Sequence, residues 1–330
     1  LNGLTGLVTL EIDTDGAVNT IGEQFITDLA AATEKAYKDN INGMILRSAK
    51  NTSFLDGANL LEIRKSPSPL NLKHLILRFH EVCDALAQSP FPVVAVLCGQ
   101  TALGGGFELI LWTCDRIFAT ADAKMGLPEV TVGLFPAAGG LETLPRIVGF
   151  DIALNLIMTG KVRPATFFEN SGVLQIEPRA KILMQAERWL HAHPDIQNRN
   201  TDPNHRRPDN LSAADCRRLI RDARKIYTRC PERPNFEAAL TAMEEGLDLP
   251  FREAVENQAR RFAPLIADAH VQNKIDAFFS ATSLAPKLVT VDPSNALTVS
   301  RMAVIGAGLM GRGIAQVCAT AGYPVTLIDI

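Results

Sequence analysis

Short apolar runs that alternate with helical patterns over residues 1–160 constrain this chain more than any other feature. Leu7 to Ile12, Gly43 to Ser48 and Pro92 to Leu97 are brief, largely apolar stretches of the buried-strand type. Between the first two, Gly22 to Tyr37 carries Phe25, Ile26, Leu29, Ala32 and Ala36 at helical spacing, which predicts an amphipathic helix. Strand and helix taking turns in this way predict an α/β layered fold.

Beyond that region the pattern changes. Ala153 to Trp189 is more helical, and His191 to Asn210 is mostly Asn, Asp, Pro, His and Arg, with almost nothing to bury, so it reads as a surface loop or linker. Leu211 to Phe279 is helical throughout, with Ser212 in N-cap position and Leu219, Ile220, Ala223 and Ile226 on one side. A short, mostly polar stretch from Asp292 to Ser300 precedes a new strand at Met302. A chain of 330 residues exceeds the usual size of one core, and the expected division is 1–190, a helical connector over 191–298, and 299–330. The chain opens on Leu1 and closes inside a strand-like run, which reads as a cut at both ends.

With 47% hydrophobic and 21% charged residues the chain can bury a large core. A net charge of -3 gives no basic field for nucleic acid, and no apolar run reaches the roughly 20 residues of a membrane-spanning helix. Cys83, Cys98, Cys114, Cys216, Cys230 and Cys318 lack CxxC spacing and read as reduced thiols, Cys114 as a core one.

Three segments carry chemistry. Pro92 to Leu97 leads through a turn into Gly104-Gly105-Gly106-Phe107-Glu108 at the start of a helix, where free N–H groups favour developing negative charge. The bland reading of a glycine triplet there is tight helix–strand packing. Glu129, in Gly126-Leu127-Pro128-Glu129, stands in a Gly/Pro-rich stretch among apolar residues, where desolvation raises a carboxyl pKa; the alternative is a solvated loop glutamate. Gly57-Ala58-Asn59 follows the strand at Gly43 to Ser48 and supplies a second backbone N–H, a weak motif by itself.

In this order, together with Pro136-Ala137-Ala138-Gly139-Gly140, these segments resemble the crotonase superfamily, and most closely its enoyl-CoA hydratases, over roughly residues 1–165. The resemblance implies a spiral of ββα units. It implies that the oxygen of a coenzyme A thioester sits between the N–H groups of Ala58 and Gly105. Glu108 and Glu129 then hold one water that adds across the trans-2 double bond. Three departures from the family pattern are visible: Asn59 where relatives have Asp, Leu141-Glu142-Thr143, and the stretch Asn170 to Glu177.

A second constellation lies at Met302 to Asp329: a strand, Gly306-x-Gly308-x-x-Gly311, an apolar helix, and Asp329 ending a second strand. A bare GxGxxG is weak, but this context is that of a dinucleotide fold, the acid at 329 favouring NAD over NADP. Gly306 suits the tight turn, Gly308 the approach to pyrophosphate, Gly311 helix packing, and Asp329 the ribose hydroxyls. One βαβ unit is too little for a full NAD site. The segment resembles the start of 3-hydroxyacyl-CoA dehydrogenases, whose catalytic His and Glu lie beyond this point.

Hydratase, connector and dehydrogenase start, in that order, resemble the α subunits of fatty-acid β-oxidation complexes. This resemblance implies a thiolase β subunit as partner and a location in the bacterial cytoplasm, with the mitochondrial matrix as the alternative. Enoyl-CoA isomerisation and a non-catalytic CoA-binding scaffold are the rival readings. His191 and His193 lack companions at metal-ligand spacing and read as exposed loop histidines, and the Cys216 to Lys225 run reads as a solvated helix face.

Overall fold

A computed structural model describes residues 6–65, 68–195, 211–230, 232–288 and 299–329. Two compact units form, one ending at Phe278 and the other beginning at Phe279.

The first unit opens with β1 (Leu7–Ile12), α1 (Glu23–Lys38), β2 (Gly43–Ser48), β3 (Ser53–Leu55), α2 (Leu60–Lys65) and α3 (Pro69–Ala87). There follow β4 (Val93–Leu97), β5 (Thr101–Leu103), α4 (Gly105–Thr113), β6 (Arg116–Ala119) and β7 (Lys124–Gly126). Strands β2, β4 and β6 belong to a larger parallel sheet, and each runs within a few residues into β3, β5 and β7 of a second sheet. This is the expected spiral of ββα units. The expected strands at Leu7 to Ile12 and Gly43 to Ser48 are observed at those bounds, and the third begins one residue later than expected, at Val93.

Strand β4 is buried at all five positions, as a parallel strand covered on both faces must be. One cover is α7 (Ile182–Ala192), which follows α5 (Gly140–Val148), α6 (Phe150–Thr159), β8 (Arg163–Pro164) and β9 (Leu174–Ile176). Its Ile182, Ala186 and Leu190 pack with Leu7, Ile45, Val94, Val96 and Phe118. The largely helical reading of 153–189 is corrected here by β8, a 3₁₀ stretch at Ala165–Ser171 and β9, which extends the larger sheet beside β6. Strands of two or three residues are too short to show alternation, and only their pairing makes them strands.

After residue 195, most of the expected loop lies outside the described residues. The helices α8 (Ala213–Tyr227), α9 (Pro234–Gly246) and α10 (Phe251–Phe262) then pack onto the same unit, with α11 (Ala269–Leu288) starting in it. Ser212 and Asp215 form a capping box at the start of α8. Its buried stripe is Cys216, Ile220 and Ala223; Ile226, expected inside, is 62% exposed. Asn235 of α9 donates to the Leu134 carbonyl (3.0 Å), while Phe251 and Phe262 of α10 meet Trp112 and Phe135 edge-on.

The second unit holds β10 (Met302–Ile305), α12 (Leu309–Thr320) and β11 (Val325–Ile328), the two strands pairing in parallel. Its apolar faces are open: Ile305, Leu309, Met310 and Val317 are exposed and no residue of α12 is buried. All six cysteines are free thiols, Cys114 fully buried. Among the described residues no helix is long and apolar enough to cross a membrane.

Candidate active site

Between β5 and α4 the chain turns through Gly104, whose φ of 53° and ψ of -132° strain any side chain. Its N–H donates to Gly126 (2.9 Å) and its carbonyl accepts from Glu108 N–H (2.9 Å), starting the helix. The turn Gly57-Ala58 lies against this start: a Cβ on Gly57, where φ is 84°, would stand 3.3 Å from the Leu103 carbonyl oxygen and 3.7 Å from Gly105 N. Ile21 fixes that turn from the other side, donating to the Gly57 carbonyl and accepting from Asn59 N–H, both at 2.8 Å. The amides of Ala58 and Gly105 are thereby brought together, and neither has an acceptor among the described residues. Asn59, the departure from the family's Asp, accepts from Glu62 N–H (3.2 Å) and caps α2, a task Asn and Asp perform alike.

Glu108 is the one charged residue in α4, whose residues from Gly106 to Thr113 are all buried. A charge there needs partners. Its Oε1 accepts from the N–H groups of Ala138 (2.8 Å) and Gly140 (2.7 Å). Burial pushes its pKa up to about 7, with those two donors pulling the other way.

Glu129 opens a 3₁₀ turn, Glu129–Val132, that ends at left-handed Gly133. A Cβ on Gly104 would stand 2.9 Å from Glu129 Oε1, so the glycine is what admits this carboxylate. Although the residue is only half-buried, its Oε2 is closed off from solvent and has no hydrogen-bond partner among the described residues. Burial first, and then the nearby Glu108 charge, raise its pKa well above the ordinary range. Two carboxylates thus face one space in unequal settings. Two N–H donors favour the ionised form of Glu108, and their absence at Glu129 favours its protonated form.

Sequence reasoning missed the support behind this pair. The loop 137–140 that serves Glu108 is itself held: His80 of α3 reaches the Ala137 carbonyl (2.8 Å), and a Cβ on Gly139 would stand 2.9 Å from the Trp112 ring. His80 tilts against Trp112 at 5.5 Å. The only sequence signal for it was a histidine on the buried stripe that Phe79, Cys83 and Leu86 continue, which is more often a core residue. Glu142, in the second departure, is buried and pairs with Arg146 (3.1 Å).

In the second unit Gly306 has φ of 97°, and a Cβ on Gly311 would stand 1.7 Å from the Gly306 carbonyl oxygen, which only glycine permits. Among the described residues nothing lies within 4 Å of where a Cβ on Gly308 would be, so the backbone there is open to a ligand. Asp329 follows β11, and its Oδ1 accepts from Ala307 N–H (3.0 Å), joining the strand end to the glycine loop. These features fit a dinucleotide pyrophosphate at the glycine loop with the acid beside it. His191 and His193 are exposed, His193 stacking on Trp189, and no metal-holding cluster occurs among the described residues.

Residues 301–330 match the 3-hydroxyacyl-CoA dehydrogenase NAD binding domain. The fatty acid oxidation complex subunit alpha of Vibrio cholerae is 32% identical over 317 residues, covering 93% of this chain and 44% of that protein. The chain therefore spans under half the length of the curated relatives it matches. Two solved structures share the fold. Enoyl-CoA hydratase from Bacillus halodurans has a TM-score of 0.60 at 20% identity, covering 82% of this chain and 96% of that one. That from Bacillus anthracis has a TM-score of 0.52 at 21% identity, covering 86% and 93%. Residues 4–199 match the enoyl-CoA hydratase/isomerase family, and the chain belongs to it.

Proposed function

We propose that the first unit hydrates trans-2-enoyl-CoA thioesters, with Glu108 as base and Glu129 as acid. The observation that carries this reading is the pair of unequal carboxylates beside the neighbouring amides of Ala58 and Gly105. Ionised Glu108 takes a proton from water as the water oxygen bonds to C3. Glu129 gives its proton to C2, and the displaced electron pair passes through the enolate-like state on the thioester oxygen. The Ala58 and Gly105 N–H groups stabilise that oxygen. The proton gained by Glu108 then returns to Glu129 through solvent, which resets the pair.

For this chain we also propose the division 1–190, 191–298 and 299–330. Its last part would bind NAD, with Gly306, Gly308 and Gly311 against the pyrophosphate and Asp329 on the ribose. When bound, NAD would accept the hydride of a 3-hydroxyacyl-CoA. A thiolase β subunit as partner and a bacterial cytoplasmic location accompany this reading, which rests on likeness to the Vibrio cholerae subunit.

Hydration of crotonyl-CoA by the native chain, by Glu108→Gln and by Glu129→Gln tests it. Each variant should lose about 10²–10⁴-fold in kcat, the usual worth of a positioned acid or base. Full activity in either variant would sink the two-carboxylate mechanism. Conversion of 3-enoyl-CoA without hydration would favour the isomerase.

A further inference from the structure

The peptide group between Ala137 and Ala138 is bonded at both ends. Its carbonyl faces His80 Nε2 at 2.8 Å, and its N–H donates to Glu108 Oε1 at 2.8 Å. A carbonyl only accepts, so Nε2 carries the hydrogen and His80 is the donor. Nδ1 then holds a lone pair; it is buried and has no hydrogen-bond partner among the described residues. Hydrogen bonds in series polarise one another, and a peptide whose oxygen accepts becomes a stronger donor at its nitrogen.

We propose that His80 is a positioning residue for hydration: through the Ala137–Ala138 peptide it strengthens the N–H donor that keeps Glu108 ionised and aimed at the water. This rests on the reading of Glu108 as the base. A buried imidazole with one orphaned nitrogen costs stability that a leucine on the same stripe would not. Burial also pushes the His80 pKa down to about 4, so the ring stays neutral, with the same tautomer, wherever the enzyme works.

The groups facing this relay are few. Cys83 of α3 and Glu129 of the 3₁₀ turn lie near Glu108, and the Cys83 thiol is held well above its ordinary range, so it is uncharged. Around His80, a cleft of about 270 Å³ brings Lys73, Glu81 and Asp84 of α3 and Arg252, Glu256 and Arg260 of α10. Asp84 pairs with Arg252.

The test compares His80→Phe, which keeps a ring but no donor, with His80→Gln, whose amide nitrogen can reach the place of Nε2. Crotonyl-CoA hydration is measured across pH 5–9 alongside Glu108→Gln. His80→Phe should lower kcat about tenfold with little change in KM, the effect of losing one hydrogen bond of ordinary strength. The acid limb of its pH profile should move upward, because a weaker donor leaves the Glu108 carboxylate easier to protonate. His80→Gln should recover most of both. An unmoved acid limb in a folded His80→Phe, or equal loss in both variants with a lowered melting point, would make His80 structural and end the proposal. An independent reading uses the native chain: nitrogen-15 NMR should find a neutral histidine protonated at Nε2, absent from His80→Gln, while the Nδ1–H tautomer would overturn the relay even if neither variant folds. If Glu108→Gln stays active, the hydration mechanism fails instead, whatever His80 does.

Discussion

Gly106 and Leu55 are in backbone contact: a Cβ on Gly106 would lie 1.9 Å from the Leu55 carbonyl oxygen, so α4 rests directly on the end of β3. Gly106→Ala must push that helix away and take the Gly105 amide with it. The expected cost is about 1–3 kcal/mol of stability, as for other overpacked interiors, with hydration falling in the fraction that still folds. Chemical denaturation and the crotonyl-CoA assay measure the two effects.

Ala58 lends the site its backbone alone. Its N–H has no acceptor among the described residues, so Ala58→Pro deletes the N–H to which the proposed mechanism gives the thioester oxygen, without breaking a fold hydrogen bond. A loss of about 10²–10³-fold in kcat is expected, the worth of one oxyanion donor. An unchanged melting point together with unchanged kcat would remove Ala58 from the mechanism.

Burial of Glu108 makes stability depend on pH. Its carboxyl ionises near 4.5 in an unfolded chain and at about 7 in the folded one, so between those values the native state binds more protons. That contribution is fully present below about 4.5 and is lost as pH rises through about 7. Glu108→Gln does not titrate, and its stability relative to native should improve by on the order of 2 kcal/mol between pH 5 and pH 8. Melting curves at the two pH values decide this, and an equal difference at both would mean that Glu108 is not raised. The same ionisation should appear as a fall in kcat/KM when pH drops through about 7.

Asn235 ties α9 to the segment that leads into the Glu108 loop, through its bond to the Leu134 carbonyl. Asn235→Ala leaves that buried carbonyl without its partner and should cost roughly 1–3 kcal/mol. Urea unfolding is the measurement; a cost near zero would mean that water replaces the amide.

Much of this was legible in the sequence. Glycines before Glu108 and the Gly/Pro-rich stretch at Glu129 announce backbone shapes and burial that follow from local chemistry alone, and both carboxylates do reach one space. Strands β2 and β4 could be read because buried parallel strands are continuous apolar runs. What could not be read depends on pairing across the chain: β8 and β9 are strands only beside β7 and β6, and His80 acquires meaning only where α3 meets the loop at Ala137. Ile226 misled because helical spacing defines a stripe but not its width.

The winding of the larger sheet has a consequence for how the chain acquires its shape. Met44 pairs with Val93, Val94 with Arg116 and Phe118 with Gln175, so every ladder joins segments separated by an intervening crossover. No hairpin is available to start this sheet, and closing such long loops precedes any gain from pairing, which places refolding among the slower, millisecond-to-second class. On a ribosome the early strands would wait, unpaired and apolar, until their neighbours emerge, and a chaperone that shields them in that interval would raise the yield of folded protein more than it would for a helical bundle of equal length.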